Sequence, residues 1–226
     1  MDNDQCHDAR IIESWHRNTT AWTDAVREKR IDSRRLVTDQ AIIDAVMSHS
    51  PASILDVGCG EGWLSRELSA RGCDVIGLDV VPELVESARL AGSGDFRVMP
   101  YEAINTEELG ISVDAMVCNF SLLGNASVEK IFDVAPLLLR GGGILVVQTL
   151  HPAMACGDLP YQDGWREGSW EGLGAGFSDP APWYFRTLES WLTLYMSKGF
   201  VLCEMREPIH PETRKPASII LVGKLA

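Results

Sequence analysis

The sequence predicts an α/β protein built on a mostly parallel, doubly wound sheet, and three observations carry that expectation. From residue 52 onward, short apolar runs alternate with helical stretches, the rhythm of βαβ units. The runs are apolar at nearly every residue rather than at every second one, as strands covered on both faces require. The first run also ends in a turn with glycine at 58, 60 and 62 that opens a helix, the kind of junction at which open α/β sheets bind ligands.

The elements follow in order. Residues 8–29 and 36–48 read as two helices, the second with an apolar stripe of Ala41, Ile42, Ala45 and Val46. Strands are expected at 53–57, 74–79, 96–99, 115–119 and 144–149, with helices at 63–70, 82–91 and 128–139 between them. Pro82 suits a first helical turn, where a missing N–H costs nothing. Pro136 predicts a kink or early stop in the last of these helices, and Gly141, Gly142 and Gly143 are expected to end it. Then the rhythm breaks. Residues 151–183 are rich in Gly, Pro, Trp and Asp, show no sustained period, and carry Tyr161, Trp165, Trp170, Phe177 and Trp183. So long a stretch without regular structure is a disordered insert or a functional lid. The aromatics favour the lid, because disordered segments are poor in them. Order resumes with a helix at 188–198 and strands at 200–205 and 217–222, which read as a hairpin at the sheet edge.

Composition narrows the function. A chain of 226 residues suits one α/β domain with a modest addition. Its net charge of −12 disfavours nucleic acid and anionic membrane as partners. The one concentrated basic stretch, 27–35, is interrupted by Glu28 and Asp32. Six cysteines stand singly, with no zinc or redox spacing, which fits a reducing cytoplasm. The first ten residues lack the order of a signal peptide, and no run is long enough to span a membrane.

The chemistry centres on Ile54-Leu-Asp-Val-Gly-Cys-Gly-Glu-Gly62. Gly58 and Gly60 let the chain bend sharply and approach a ligand closely. Asp56 ends the strand as a hydrogen-bond acceptor, and Asp79 ends the next strand, where a carboxylate can accept both hydroxyls of a ribose. A dinucleotide fingerprint requires glycine at its sixth position; that position is Trp63, whose bulk obstructs a pyrophosphate. A ligand with an amino group and no phosphate suits the acids Asp56 and Glu61 better. Asp-Val-Gly-Cys-Gly, followed by Gly-Leu-Asp at 77–79, resembles the first motif and following acid of the class I S-adenosylmethionine-dependent methyltransferases. It resembles in particular their small-molecule, ubiquinone/menaquinone methylase-like group.

That resemblance implies a Rossmann-like sandwich with a seven-stranded, mostly parallel sheet, an antiparallel last strand and helices on both faces. It implies S-adenosylmethionine as cofactor, held by Asp56, Gly58, Cys59, Gly60 and Trp63 at the turn. Asp79 would take the ribose, with Val80, Tyr101 and Glu102 against the adenine and Asn119 and Phe120 against the methionine part. The N-terminal helices would fold over it, with Trp22 and the arginine pair Arg34-Arg35 as notable residues and Arg35 assigned to the methionine carboxylate. Methyl transfer needs in-line approach and exclusion of water, and a base only when the nucleophile holds its proton tightly. His151, at the end of the fifth strand, is the candidate base or orienting group; a strand-end histidine bonded to its surroundings is the alternative. Tyr161, Trp165, Trp183 and Arg186 are candidate substrate contacts, with a self-packed loop and an ion pair to Glu189 or Glu207 as their structural alternatives. The chain is expected to be one domain: a helical lid over 1–50, a cofactor-binding core over 52–150, an active-site insert over 151–186 and a C-terminal helix and hairpin over 187–226. The expected function is methylation of a small metabolite at O, N or C, by a cytoplasmic monomer or homodimer. No metal is expected. A dinucleotide-dependent oxidoreductase and a cofactor-binding protein without catalysis are the competing readings.

Overall fold

The computed structural model describes residues 3–92 and 94–226. In chain order the elements are α1 (Asn3–Arg27), a π-helical turn (Arg34–Thr38), α2 (Asp39–Met47), β1 (Ser53–Val57), α3 (Trp63–Ser69), β2 (Asp74–Asp79), α4 (Pro82–Ala91) and β3 (Asp95–Val98). A 3₁₀ turn (Tyr101–Ala103) leads to α5 (Thr106–Leu109), β4 (Val113–Asn119), α6 (Ala126–Leu138), β5 (Leu139–Thr149) and α7 (Pro152–Ala155). β6 (Gly164–Arg166), β7 (Trp183–Phe185), α8 (Leu188–Ser197), β8 (Phe200–Arg206) and β9 (Ile219–Leu225) complete the chain.

Seven strands form one sheet in the order β3-β2-β1-β4-β5-β9-β8. β9 alone runs antiparallel to its neighbours, β5 and β8. The hairpin expected at the edge is there, with its second strand inserted against β5 and its first left outside. Adjacent residues of β1 serve opposite faces. Ile54 packs with Ile42, Leu64 and Val222 on the side of α2 and α3, while Leu55 packs with Met116, Phe132 and Tyr195 on the side of α6 and α8. Both faces are covered over β1, β4 and the second half of β5, so these stretches are apolar at nearly every residue, whereas β3 at the edge carries Asp95 and Arg97 and is partly exposed.

The order of strands reverses between β1 and β4. Their following connections therefore diverge and leave a crevice at the carboxyl ends, the switch point of such sheets.

Three expectations are corrected. Gly141–Gly143 do not terminate a helix: α6 already ends at Leu138, two residues after Pro136, and the glycines belong to β5. Val113 pairs with Leu139 but Ala115 with Ile144, so three extra residues bulge out of the ladder there, and Gly142 has φ +78°. The second N-terminal helix begins earlier than residue 36: after a turn at residues 28–31 the chain is helical from residue 32, and the π-helical turn runs directly into α2. The insert is not without regular structure, because β6 pairs antiparallel with β7 in a small second sheet. Among the described residues no helix is long and apolar enough to cross a membrane.

Candidate functional site

A cavity with about 1100 Å³ of free space opens at the switch point, under α1. Its floor is the turn after β1. Gly58 and Gly62 adopt φ +76° and +82°, which side-chain-bearing residues rarely do. At Gly58 the reason for glycine is internal, because a Cβ there would stand 2.3 Å from Ser121 Cβ. Ser121 in turn donates to the Val57 carbonyl at 2.6 Å, tying the end of β4 to the end of β1.

The two strand-end acids are held differently. Asp56 is buried and accepts a 2.6 Å hydrogen bond from Ser65 Oγ. Burial, and secondarily the Asp79 charge, push its carboxyl up to about 7 against the Ser65 bond. Asp79 accepts the Gly60 N–H at 2.8 Å on one oxygen and the Val81 N–H at 2.9 Å on the other. Burial raises its pKa as well, and those amides oppose the rise. Each oxygen of Asp79 keeps lone-pair capacity for a ligand.

Around these acids stand Trp22, Cys59, Gly60, Trp63, Val80, Tyr101, Glu102, Asn119 and Phe120, all lining the same cavity. The Tyr101 hydroxyl donates to the Ser121 carbonyl at 3.0 Å, and burial raises its pKa. Phe120 has φ +54° and donates its N–H to the Gln148 carbonyl at 2.8 Å. A strained backbone in a residue with a Cβ is concentrated at functional positions.

The turn's other acid is oriented elsewhere. Glu61 is fully buried and bonded to Arg66 and Arg27 at 2.8 and 3.1 Å, so it presents no charge to the cavity. Arg35 points outward to Asp32 at 2.7 Å. Arg34 is the arginine at the cavity, between the indoles of Trp22 and Trp63 with its guanidinium carbon 5.3 and 4.6 Å from their centroids. Its Nε bonds Asp39, and its Nη2 is buried without a partner. Asn119 Oδ1 is a second buried, unpartnered polar atom of the lining.

The remaining candidates lie outside this cavity. His151 is buried, with Nε2 2.7 Å from a Glu207 carboxylate oxygen and Nδ1 unpartnered. Trp183 and Arg186 line a smaller hollow that shares Phe120 and Leu123 with the main cavity. Arg186 donates to the Gly124 and Asn125 carbonyls and to Asn125 Oδ1 at 2.8–3.0 Å, and burial lowers its pKa. Trp165 stacks on His7 and donates to Asp4, and Tyr161 packs edge-on against Phe185.

Sequence reasoning missed Asp8, Ile11, Ile12 and Trp15, which line the cavity together with Trp22. The signal was present: spacings of three, four and seven put them on one face of α1. It also missed Leu123, Gly124 and Ser127, whose placement follows from the turn between β4 and α6.

Residues 55–147 match the methyltransferase domain family. Ubiquinone biosynthesis O-methyltransferase of Xylella fastidiosa (strain M23) is 39% identical over 114 residues, covering 48% of this chain and 46% of that protein. The enzyme of the same name from Xanthomonas oryzae pv. oryzae (strain PXO99A) is 36% identical over 114 residues, with 48% and 47% covered. The chain thus spans about half the length of these relatives. Among solved structures, Burkholderia thailandensis 1,6-didemethyltoxoflavin-N1-methyltransferase superposes with a TM-score of 0.70 at 14% identity, covering 100% of this chain and 92% of that one. Magnesium protoporphyrin IX methyltransferase of Synechocystis PCC 6803 does so at 0.66 and 16% identity, covering 96% and 98%. At such identities the superpositions show the shared fold. The glycine turn and both strand-end acids lie inside the segment, residues 55–147, that matches the methyltransferase domain family.

Proposed function

We propose that this protein methylates a small-molecule acceptor at oxygen, nitrogen or carbon, and that the whole chain works as one domain with α1 and the insert as its cover. The observation that carries the reading is a complementarity of unpartnered atoms. Arg34 Nη2 is a buried donor without an acceptor and Asn119 Oδ1 a buried acceptor without a donor, at one cavity. An amino-acid carboxylate and ammonium supply what each lacks. The residues present therefore fit S-adenosylmethionine, which when bound supplies an electrophilic methyl group. Asp79 would accept the ribose hydroxyls, Val80, Tyr101 and Glu102 would contact the adenine, and Asp56 with Asn119 would face the ammonium. Arg34, rather than Arg35, would hold the carboxylate.

The cover's task is to exclude water and orient the acceptor. We place the acceptor beside Phe120 and Leu123, which line both the main cavity and the hollow with Trp183 and Arg186. His151 would act there through Glu207 and the end of β5, as a positioning residue, since it does not line the cavity. The curated relatives match about half of the chain, so their O-methylation informs the cofactor more than the acceptor. A net charge of −12 favours a small acceptor over nucleic acid. Six free cysteines fit the reducing cytoplasm in which we place the protein, as monomer or homodimer.

Calorimetric titration with S-adenosylhomocysteine, with NAD as control, tests the reading. Micromolar binding of the first alone supports it. Binding of NAD alone, or of neither by a folded protein, refutes it.

A further inference from the structure

β5 is apolar from Ile144 to Val147 and then carries Gln148, whose side chain is fully buried. Its backbone and its side chain reach two different parts of the cavity wall. The Gln148 carbonyl accepts the Phe120 N–H at 2.8 Å, which fixes the peptide after Asn119, the register partner of Gln148 on β4. The side-chain Nε2 donates to the Thr38 carbonyl at 3.3 Å and to Ser218 Oγ at 2.9 Å. Thr38 closes the π-helical turn that begins with Arg34. Among the described residues, the bond from Gln148 to Thr38 is the hydrogen bond that joins this turn to the sheet.

Stability does not account for an amide at this place. Gln148 Oε1 and the Thr38 hydroxyl oxygen are both buried without a partner. A buried polar atom left unpaired costs free energy that an apolar side chain of the same shape avoids. What the amide supplies is a fixed relation between two holders. Arg34, at the far end of the turn from Thr38, has Nη2 unpartnered at the cavity; Asn119, just before Phe120, has Oδ1 unpartnered there.

We propose that Gln148 is a positioning residue for the amino-acid end of the cofactor, holding the turn of Arg34 and the peptide after Asn119 in one relation across the tips of β4 and β5. The inference rests on the cofactor reading above and deepens it. Gln148 does not line the cavity, so it acts through those two side chains. The carboxylate and ammonium of one amino acid have a fixed span. A shift of either holder therefore lengthens one of the two sets of hydrogen bonds, which weaken steeply with distance and angle.

The test is calorimetric titration of the full chain with S-adenosylhomocysteine and with 5′-methylthioadenosine, which keeps the nucleoside and the sulfur and lacks the amino acid. Gln148→Met removes the donor at similar volume. It should weaken S-adenosylhomocysteine by roughly tenfold and leave methylthioadenosine affinity close to wild type. Should that variant not fold, Gln148→Asn, which keeps an amide but is one methylene short of Thr38, reads the same split. Arg34→Met should cost less affinity in the Gln148→Met background than in the wild type, because the two residues act as a unit. Equal weakening of both ligands would make Gln148 a general support of the fold and overturn the proposal. Unchanged S-adenosylhomocysteine affinity, or additive effects of the two substitutions, would overturn it as well. A wild type that binds both ligands alike removes the proposal and the role of Arg34, and leaves the nucleoside part of the cofactor reading standing. A wild type that binds neither removes the cofactor reading itself.

Discussion

The floor of the cavity and its cover are built on different principles. The floor is the ends of β1, β2 and β4, fixed by ladder hydrogen bonds and by side chains buried on both sheet faces. Its acids are held by local partners, Ser65, Gly60 and Val81. The cover is α1 and the insert, joined by side-chain bonds across long stretches of chain: Ser14 to the Asp179 carbonyl, Asn18 to Ser178, and Trp165 and Asn125 to Asp4. Aromatic packing joins them as well, with Trp15 edge-on to Trp170 and His7 stacked on Trp165, and side-chain joints of this kind open at lower free energy than a sheet core. Under the function proposed here, the fixed ends of the strands would cradle the cofactor and α1 with the insert would open to admit and release ligands.

The comparison can be broken most severely at Arg186, which bonds the loop between β4 and α6 from the end of the insert. Arg186→Met strands several buried acceptors and should cost about 2–4 kcal/mol of stability, read from urea midpoints; a change below the assay error would mean that the joint is not structural. Next comes Asp79→Ala, a change in the floor alone. It should weaken S-adenosylhomocysteine binding by about 1.5–3 kcal/mol while leaving amide exchange in α1 as it was. Wild-type affinity would sink the ribose assignment.

Acidity gives a third test. Asp56 has its carboxyl raised to about 7 in the folded state, from an ordinary value of 3.8, mainly by burial. The folded protein binds this proton where the unfolded chain has lost it. Its contribution is therefore complete below the unfolded value and is lost as pH rises through the folded one. One unit of such shift corresponds to about 1.4 kcal/mol. Asp56→Asn should gain stability relative to wild type between pH 5 and 8, measured by urea titration at both ends; a constant difference would show that Asp56 titrates normally. The smallest effect belongs to the cover's surface. Asp179 pairs with Arg17 in the open, with side chains 63% and 49% exposed. Asp179→Asn should shift global stability by no more than about 0.5 kcal/mol, yet speed amide exchange near residues 13–18. Slowed or unchanged exchange there would argue against a cover closed by such contacts.

Legibility followed the same division. β1, β2 and α4 were readable to the residue, because a strand buried on both faces, a glycine turn and a proline at a helix start each leave a local mark. The glycines of β5 misled, since a bulge and a helix end call for the same residue type. Arg34 and Arg35 could not be told apart, because a π-helical turn shifts which side chain faces inward and leaves no pattern in so short a stretch. Asp8, Ile11, Ile12 and Trp15 were visible as a stripe, but nothing local says what that stripe covers.

By itself the sequence determined the alternation of strands and helices, the acids at two strand ends and the class of ligand they suit. These depend on backbone propensity, burial and the chemistry of single residues. Only the tertiary structure decided that Glu61 is consumed by arginines, that His151 pairs with Glu207 away from the cavity, and that Asp8 of α1 lines the cavity while bonded to the Ser127 N–H. The reason is physical: which way a polar side chain turns is settled by partners brought together by folding, here up to 165 residues apart in the chain.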